Sequence, residues 1–149
     1  MTEVAFHFNA PDKVGYACRL LRKAHAAGAQ VVVTGLMPLL RQLDTELWTF
    51  SALDFIPHCL ADATHATPAA VLSASPIVLS VSPQAAPARQ VLLNLGADVP
   101  EGFERFERLI EVVTQDDADR QQARVRWKHY ADRGYAITRH DRATAKDSN

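Results

Sequence analysis

A chain of 149 residues with 48% hydrophobic and 22% charged residues, six glycines and a formal net charge of −1 fits one ordinary globular domain, within the roughly 100–200 residues usual for one. This composition excludes disorder, a collagen repeat and a coiled coil as descriptions of the whole chain. No apolar run approaches the roughly 20 residues that span a bilayer, no secretory signal opens the chain, and the two cysteines, Cys18 and Cys59, show no C-x-x-C spacing, so a cytoplasmic protein without membrane, disulfide framework or zinc is expected.

Residues 4–8 (VAFHF) alternate and read as a first strand, and Asn9, Pro11 and Asp12 then supply turn and helix-start signals. Over residues 13–27, Val14, Ala17, Cys18 and Leu21 recur at helical spacing, and Gly28 ends the pattern as a C′ glycine. Residues 30–34 (QVVVT) are a short apolar run between Gly28 and Gly35, as in a strand buried on both faces of a parallel sheet. Together these predict a β-α-β unit with a right-handed crossover. Residues 36–43 read as a helix with Pro38 in its first turn, and residues 44–48 as a second short helix or helical turn.

Residues 50–60 read as a loop rich in large apolar groups and residues 61–70 as a polar, exposed connection. Residues 76–81 and 90–95 are predicted strands, joined by a loop marked by Pro83 and Pro87. A short helix at residues 103–106 is expected to cover the sheet edge before a further strand at residues 109–113. The pattern then predicts a helix over residues 116–133, with acids in its first turn, bases toward its end and Gly134 just beyond. Residues 136–149 are polar and are expected to form a flexible tail, leaving one α/β domain over residues 1–135.

The chemistry of a nucleotide site is missing. A phosphate loop needs several accessible backbone amides and usually a Lys, whereas residues 34–38 (TGLMP) hold one Gly, bulky neighbours and no Lys, and residues 9–12 hold no Gly. His58 beside Cys59 is a poor nucleophile pair, because adjacent residues seldom present both groups to one substrate, and a hydrogen-bonded structural His is expected instead. His7 and His25 are expected to be core or half-buried. The acids over residues 98–119 are spread across three predicted elements, lack the glycine-containing spacing of a calcium loop and read as a solvated face. No cofactor, metal or catalytic residue is assigned.

Charge is distributed unevenly. Residues 98–119 carry eight acids against two bases, a balance of −6, and residues 120–142 carry seven bases against two acids, a balance of +5. Such a local field attracts an anionic partner even at a net charge near zero. On the last helix Arg120, Arg124, Trp127, Lys128 and Ala131 fall at i, i+4, i+7, i+8 and i+11, joining cations to an aromatic edge. This stripe suits an acidic peptide ending in hydrophobic residues, and also single-stranded nucleic acid through stacking and phosphate neutralisation. Alternatively, Trp127 and Tyr130 anchor the helix to the sheet while the bases are solvated. A second cluster, Leu47, Trp48, Phe50, Leu53, Phe55 and Ile56, is either a protein interface or a satellite core beneath its loop.

The order of these segments, above all LDTELW at residues 43–48 followed by FIPH at residues 55–58 and the basic-aromatic ARVRWKHY at residues 123–130 with Gly134 and Tyr135, resembles the chi-subunit family of bacterial DNA polymerase III, accessory proteins of the clamp loader. The resemblance implies a three-layer, Rossmann-like, mostly parallel sheet with helices on both faces and no nucleotide-binding loop. It implies a non-catalytic subunit of a DNA-directed DNA polymerase that binds the acidic C-terminal tail of single-stranded DNA-binding protein, which ends in a Pro-Phe carboxylate, and links it to the clamp loader through the psi subunit, touching DNA mainly indirectly. The tail-binding positions match Val113, Arg120, Arg124, Trp127, Lys128 and Gly134. Arg120 and Trp127 stand where Lys and Tyr are familiar in the family. The psi-facing surface matches Trp48, Phe55 and Pro57.

Overall fold

The apolar runs at residues 31–34, 77–80 and 91–94 are buried at every position, as strands covered on both faces of a parallel sheet must be. They are β2, β4 and β5 of the protein, whose computed structural model describes residues 1–49, 57–61, 75–83 and 90–141. The full element order is β1 (Glu3–Ala10), α1 (Lys13–Ala26), β2 (Val31–Thr34), α2 (Met37–Thr49), β3 (His58–Ala61), β4 (Ile77–Ser80), β5 (Val91–Asn94), a single 3-10 turn (Phe103–Arg105), β6 (Arg108–Thr114), α3 (Asp117–Asp132) and β7 (Ile137–Asp141). The strands form one sheet in the order β3-β4-β2-β5-β6-β1-β7, with every pairing parallel.

The helices begin and end where the sequence signals them. Asp12 caps α1 by accepting from the Gly15 amide at 2.6 Å, Asp116 caps α3 by accepting from the Asp119 amide at 3.1 Å, and Gly28 and Gly134 take φ values of +78° and +80° just beyond the two helices. Because strand side chains alternate between faces, the core splits into two layers. Val31, Val33, Leu79 and Leu93 pack under α1 and α2, whereas Val32, Val78, Leu92 and Leu109 pack with Phe6, Phe103 and Tyr130 on the face that carries α3.

Four expectations require correction. Residues 37–49 form one helix rather than two, since Pro38 sits in its first turn, where no intrahelical amide is needed. His58–Ala61, expected in a loop, pairs with β4 as an edge strand. The turn at Phe103–Arg105 does not cover an edge; Phe103 lies 5.2 Å from the Tyr130 ring inside the α3-side core. Ile137–Asp141, expected in a flexible tail, is an ordered edge strand paired with β1, its polar sequence reflecting exposure on a sheet margin. Residues 50–56, 62–74, 84–89 and 142–149, including Phe50, Leu53, Phe55 and Ile56, lie outside the described residues.

The topology creates a switch point between β1 and β6, neighbours whose onward connections leave in opposite directions, α1 on one face toward β2 and α3 on the other toward β7. The crevice at such carboxyl ends is where α/β sheets commonly hold nucleotides. Here an ion pair bridges it: Lys13 Nζ lies 3.0 Å from Asp119 Oδ1 and donates to the Leu95 carbonyl at 3.1 Å.

Candidate peptide-binding site

Beside this crevice, along the margin made by β1 and β7, an open cavity of about 480 Å³ is lined by Phe8, Asn9, Arg120, Ala123, Arg124, Trp127 and Arg139. Its helical wall is the i, i+3, i+4, i+7 stripe of α3, which three-to-four spacing places on one face. Its floor is aromatic. Trp127 is half-buried with its ring 5.0 Å from Phe6 and 6.1 Å from Phe8, so it both anchors the helix and presents an edge to the cavity. The opposite wall comes from β7, where the Arg139 guanidinium lies 4.7 Å over the Phe8 ring.

Asn9 organises the junction of the two walls. Its φ of +61° places it in the left-handed region, which Asn tolerates better than most side chains, and the β1–β6 register shifts there. In this conformation Asn9 Oδ1 accepts from Arg120 Nη2 at 2.8 Å while its Nδ2 donates to Asp141 Oδ1 at 2.7 Å. Arg120 is thereby held in one orientation. Among the described residues no carboxylate pairs with Arg124 or Arg139, so the cavity holds cations and apolar surface without an acid on its lining.

The other expected tail-binding positions stand elsewhere. Val113 is fully buried in the core beneath α3. Lys128 is 77% exposed and pairs with Asp132 at 3.2 Å; at 3.6 residues per turn it lies about 80° around the helix from Arg120. Gly134 is the left-handed residue that ends α3. The sequence reading missed Phe8, Asn9 and Arg139 as cavity residues. The alternation of residues 4–8 placed Phe8 on the Phe6 face, but no local signal tied residues 137–141 to a strand.

What fixes the helical wall is a charged network inside the core. Glu111 on β6, expected on a solvated face, is fully buried, and its carboxylate accepts from Arg126 Nε at 2.9 Å, from the Tyr130 hydroxyl at 2.5 Å and from Asn94 Nδ2 at 3.0 and 3.1 Å. Arg126 is 1% exposed; its Nη1 donates to the Ala97 carbonyl at 2.7 Å, and its Nη2 has no hydrogen-bond partner among the described residues. Burial raises the Glu111 pKa against the opposing pull of Arg126, Tyr130 and Asn94, and burial with the Glu111 charge drives the Tyr130 hydroxyl pKa far upward. A second buried acid, Asp119, accepts from the Thr114 amide at 2.8 Å and its hydroxyl at 3.0 Å. Burial opposes its ionisation, but these bonds and Lys13 hold its carboxyl below the usual range.

The second predicted cluster lies at the far edge of the sheet. Trp48 near the end of α2 is 57% exposed, with its ring 5.2 Å from that of His58. His58 Nε2 meets Asp44 Oδ1 at 2.9 Å with its own side chain enclosed, the structural role expected of it. Adjacent strand residues face opposite ways, so Cys59 cannot share a substrate with it. Leu47 is core, Pro57 is half-buried just before β3, and Phe55 is outside the described residues.

Residues 1–138 match the family of DNA polymerase III chi subunit, HolC. The chain is 31% identical over 145 residues to the DNA polymerase III subunit chi of Pseudomonas aeruginosa, covering 94% of this chain and 96% of that one. It is 27% identical over 124 residues to the subunit chi of Haemophilus influenzae, covering 82% of each. β1 and α3, which supply every residue of the cavity lining but Arg139, lie within the matched region, and the chain belongs to the DNA polymerase III chi subunit family.

Proposed function

We propose that this protein is a non-catalytic tether that captures the acidic, Phe-terminated C-terminal tail of single-stranded DNA-binding protein in the α3–β7 cavity and docks on the clamp-loader side, through a psi subunit, by the surface around Trp48. The observation that carries the reading is that, among the described residues, no acid lines that cavity, in which Arg120 and Arg124 stand beside an apolar floor of Phe8, Ala123 and Trp127. A terminal Phe would bury its ring on that floor while the two arginines, one helical turn apart, hold the terminal carboxylate and adjacent acids.

The position of the two surfaces supports the tethering role. Trp48 packs beside β3, one edge strand, and the cavity lies against β7, the other. Six interstrand steps of about 4.8 Å separate them by about 29 Å, enough for both partners to bind at once.

Direct binding of single-stranded DNA is the competing reading, since arginines and an indole also suit phosphates and a stacked base. The acids Asp116, Asp117 and Asp119 at the start of α3 interrupt the positive field beside Arg120, which favours the short anionic end of a peptide over a continuous polyanion. The test is titration with a fluorescent acidic peptide ending Asp-Phe-Pro-Phe, beside the same peptide without its final Phe. Micromolar binding lost on truncation is expected. Binding of neither peptide, with a steeply salt-dependent affinity for single-stranded DNA, would replace this reading with the nucleic-acid one.

A further inference from the structure

The cavity has a cation on each of two walls, and the two walls come from different elements. Arg120 and Arg124 project from α3, whereas Arg139 comes from β7, opposite Phe6 in the parallel register and therefore on the same face of the sheet as the aromatic floor. Arg139 is exposed, makes no ion pair among the described residues, and lies over the Phe8 ring at 4.7 Å. Stacking on an aromatic face holds a planar guanidinium extended and orients its donors, so fewer rotamers are lost when it binds an anion.

From this arrangement, and resting on the tail-capture reading above, we infer that Arg139 is a third ligand-binding residue of the cavity, which reads an acidic side chain upstream of the terminal Phe and not the terminal carboxylate. A peptide has one terminal carboxylate, and the paired arginines of α3 supply a convergent site for it. With the terminal ring lying against Trp127 and Ala123, the preceding chain must leave across the floor toward one wall. The β7 wall offers the oriented cation that meets it. Tail recognition then depends on β7 being paired with β1, and Asn9 contributes by joining Asp141 of β7 to Arg120 of α3.

A binding cycle on the full chain separates this role from general electrostatics. The parent chain, Arg139→Ala, Arg139→Lys and Arg124→Ala are titrated with the acidic Phe-terminated peptide and with a peptide whose acidic side chains are replaced by amides while the terminal Phe and carboxylate are kept. Arg139→Ala is expected to weaken the acidic peptide about tenfold and the amide peptide less than twofold, with Arg139→Lys intermediate because an ammonium keeps the charge but not the stacked geometry. Arg124→Ala is expected to weaken both peptides. Equal losses for the two peptides in Arg139→Ala, or no loss for either, would overturn the inference while leaving tail capture standing. Failure of the parent chain to bind either peptide would remove tail capture, and this contact with it. Thermal melts of the variants, expected to match the parent because Arg139 is exposed, show that β7 pairing is intact.

Discussion

Arg126 Nε donates to Glu111 Oε1 at 2.9 Å with side-chain exposures of 1% and 0%, so the helix bearing the cavity's arginines is fastened to β6 by an ion pair wholly inside the core. Removing one member of such a pair leaves an uncompensated buried charge, at a cost of about 3–5 kcal/mol, whereas replacing both with apolar groups of similar volume is often neutral. Glu111→Ala is therefore expected to lower the unfolding free energy measured in urea by that amount. Combining Glu111→Leu with Arg126→Met is expected to recover more than half of the loss. A cost below about 1 kcal/mol for Glu111→Ala would show that α3 is held by its aromatic contacts instead.

Arg124 and Lys128 are one helical turn apart, but only Arg124 lines the cavity. Arg124→Ala is expected to weaken tail-peptide binding by about 1.5–3 kcal/mol, the range for a charge-assisted hydrogen bond. The effect should shrink as salt is raised, because the site is open to solvent. Lys128, in an exposed pair with Asp132, is expected to contribute within about 0.5 kcal/mol. Fluorescence titrations of the two variants at low and high salt check the contrast; equal losses would extend the site around the helix to Lys128.

His7 has its Nδ1 2.5 Å from the Tyr16 hydroxyl and its ring 4.6 Å from His140. Burial, reinforced by His140, Arg108 and Lys23, pulls its pKa from 6.5 to about 4. Between those values the unfolded chain binds a proton that the folded chain refuses, so the stability contributed by neutral His7 is complete above pH 6.5 and is lost as pH falls toward 4. Asp119, its carboxyl held low by Thr114 and Lys13, adds a loss as pH falls further through its depressed folded value. Glu111, raised by burial, acts in the opposite sense, losing its contribution as pH rises, and is common to both chains of the comparison. His7→Phe is expected to flatten the fall in denaturation midpoint between pH 6.5 and 4 and to leave the loss below pH 4. Parallel pH profiles for the variant and the parent would reject His7 as the source.

The elements legible in the sequence are those whose residues have one role. Val14, Ala17, Cys18 and Leu21 at helical spacing, with Asp12 before and Gly28 after, mark α1, and the apolar runs at residues 31–34, 77–80 and 91–94 mark the doubly covered strands. β7 was hidden because ITRHD is an edge segment whose one neighbour, β1, lies more than 120 positions earlier. The buried network was hidden because charge normally marks a surface, yet Arg126 falls on the inward stripe with Ala123 and Tyr130. That stripe was the available sign. The arginines on α3 were legible as a site, whereas Arg139 becomes part of it only through strand pairing.

Trp48 tests whether the two surfaces work independently. Trp48 is 57% exposed and its ring leans on His58, whose bond to Asp44 is made by the imidazole itself and would survive loss of the indole. Trp48→Ala is therefore expected to change folding stability by less than about 1 kcal/mol, since little apolar area leaves the interior. It is expected to leave tail-peptide affinity within twofold of the parent, because the cavity lies on the opposite edge of the sheet. If the indole is an interface anchor, the same substitution should cost at least about 2 kcal/mol in binding to the clamp-loader partner, the scale for an aromatic hot spot. Calorimetry with that partner and with the tail peptide, singly and together, reads both edges. Retained partner affinity in Trp48→Ala would move the docking surface away from α2, and a tail affinity that changed with partner bound would show that the seven-stranded sheet couples its edges.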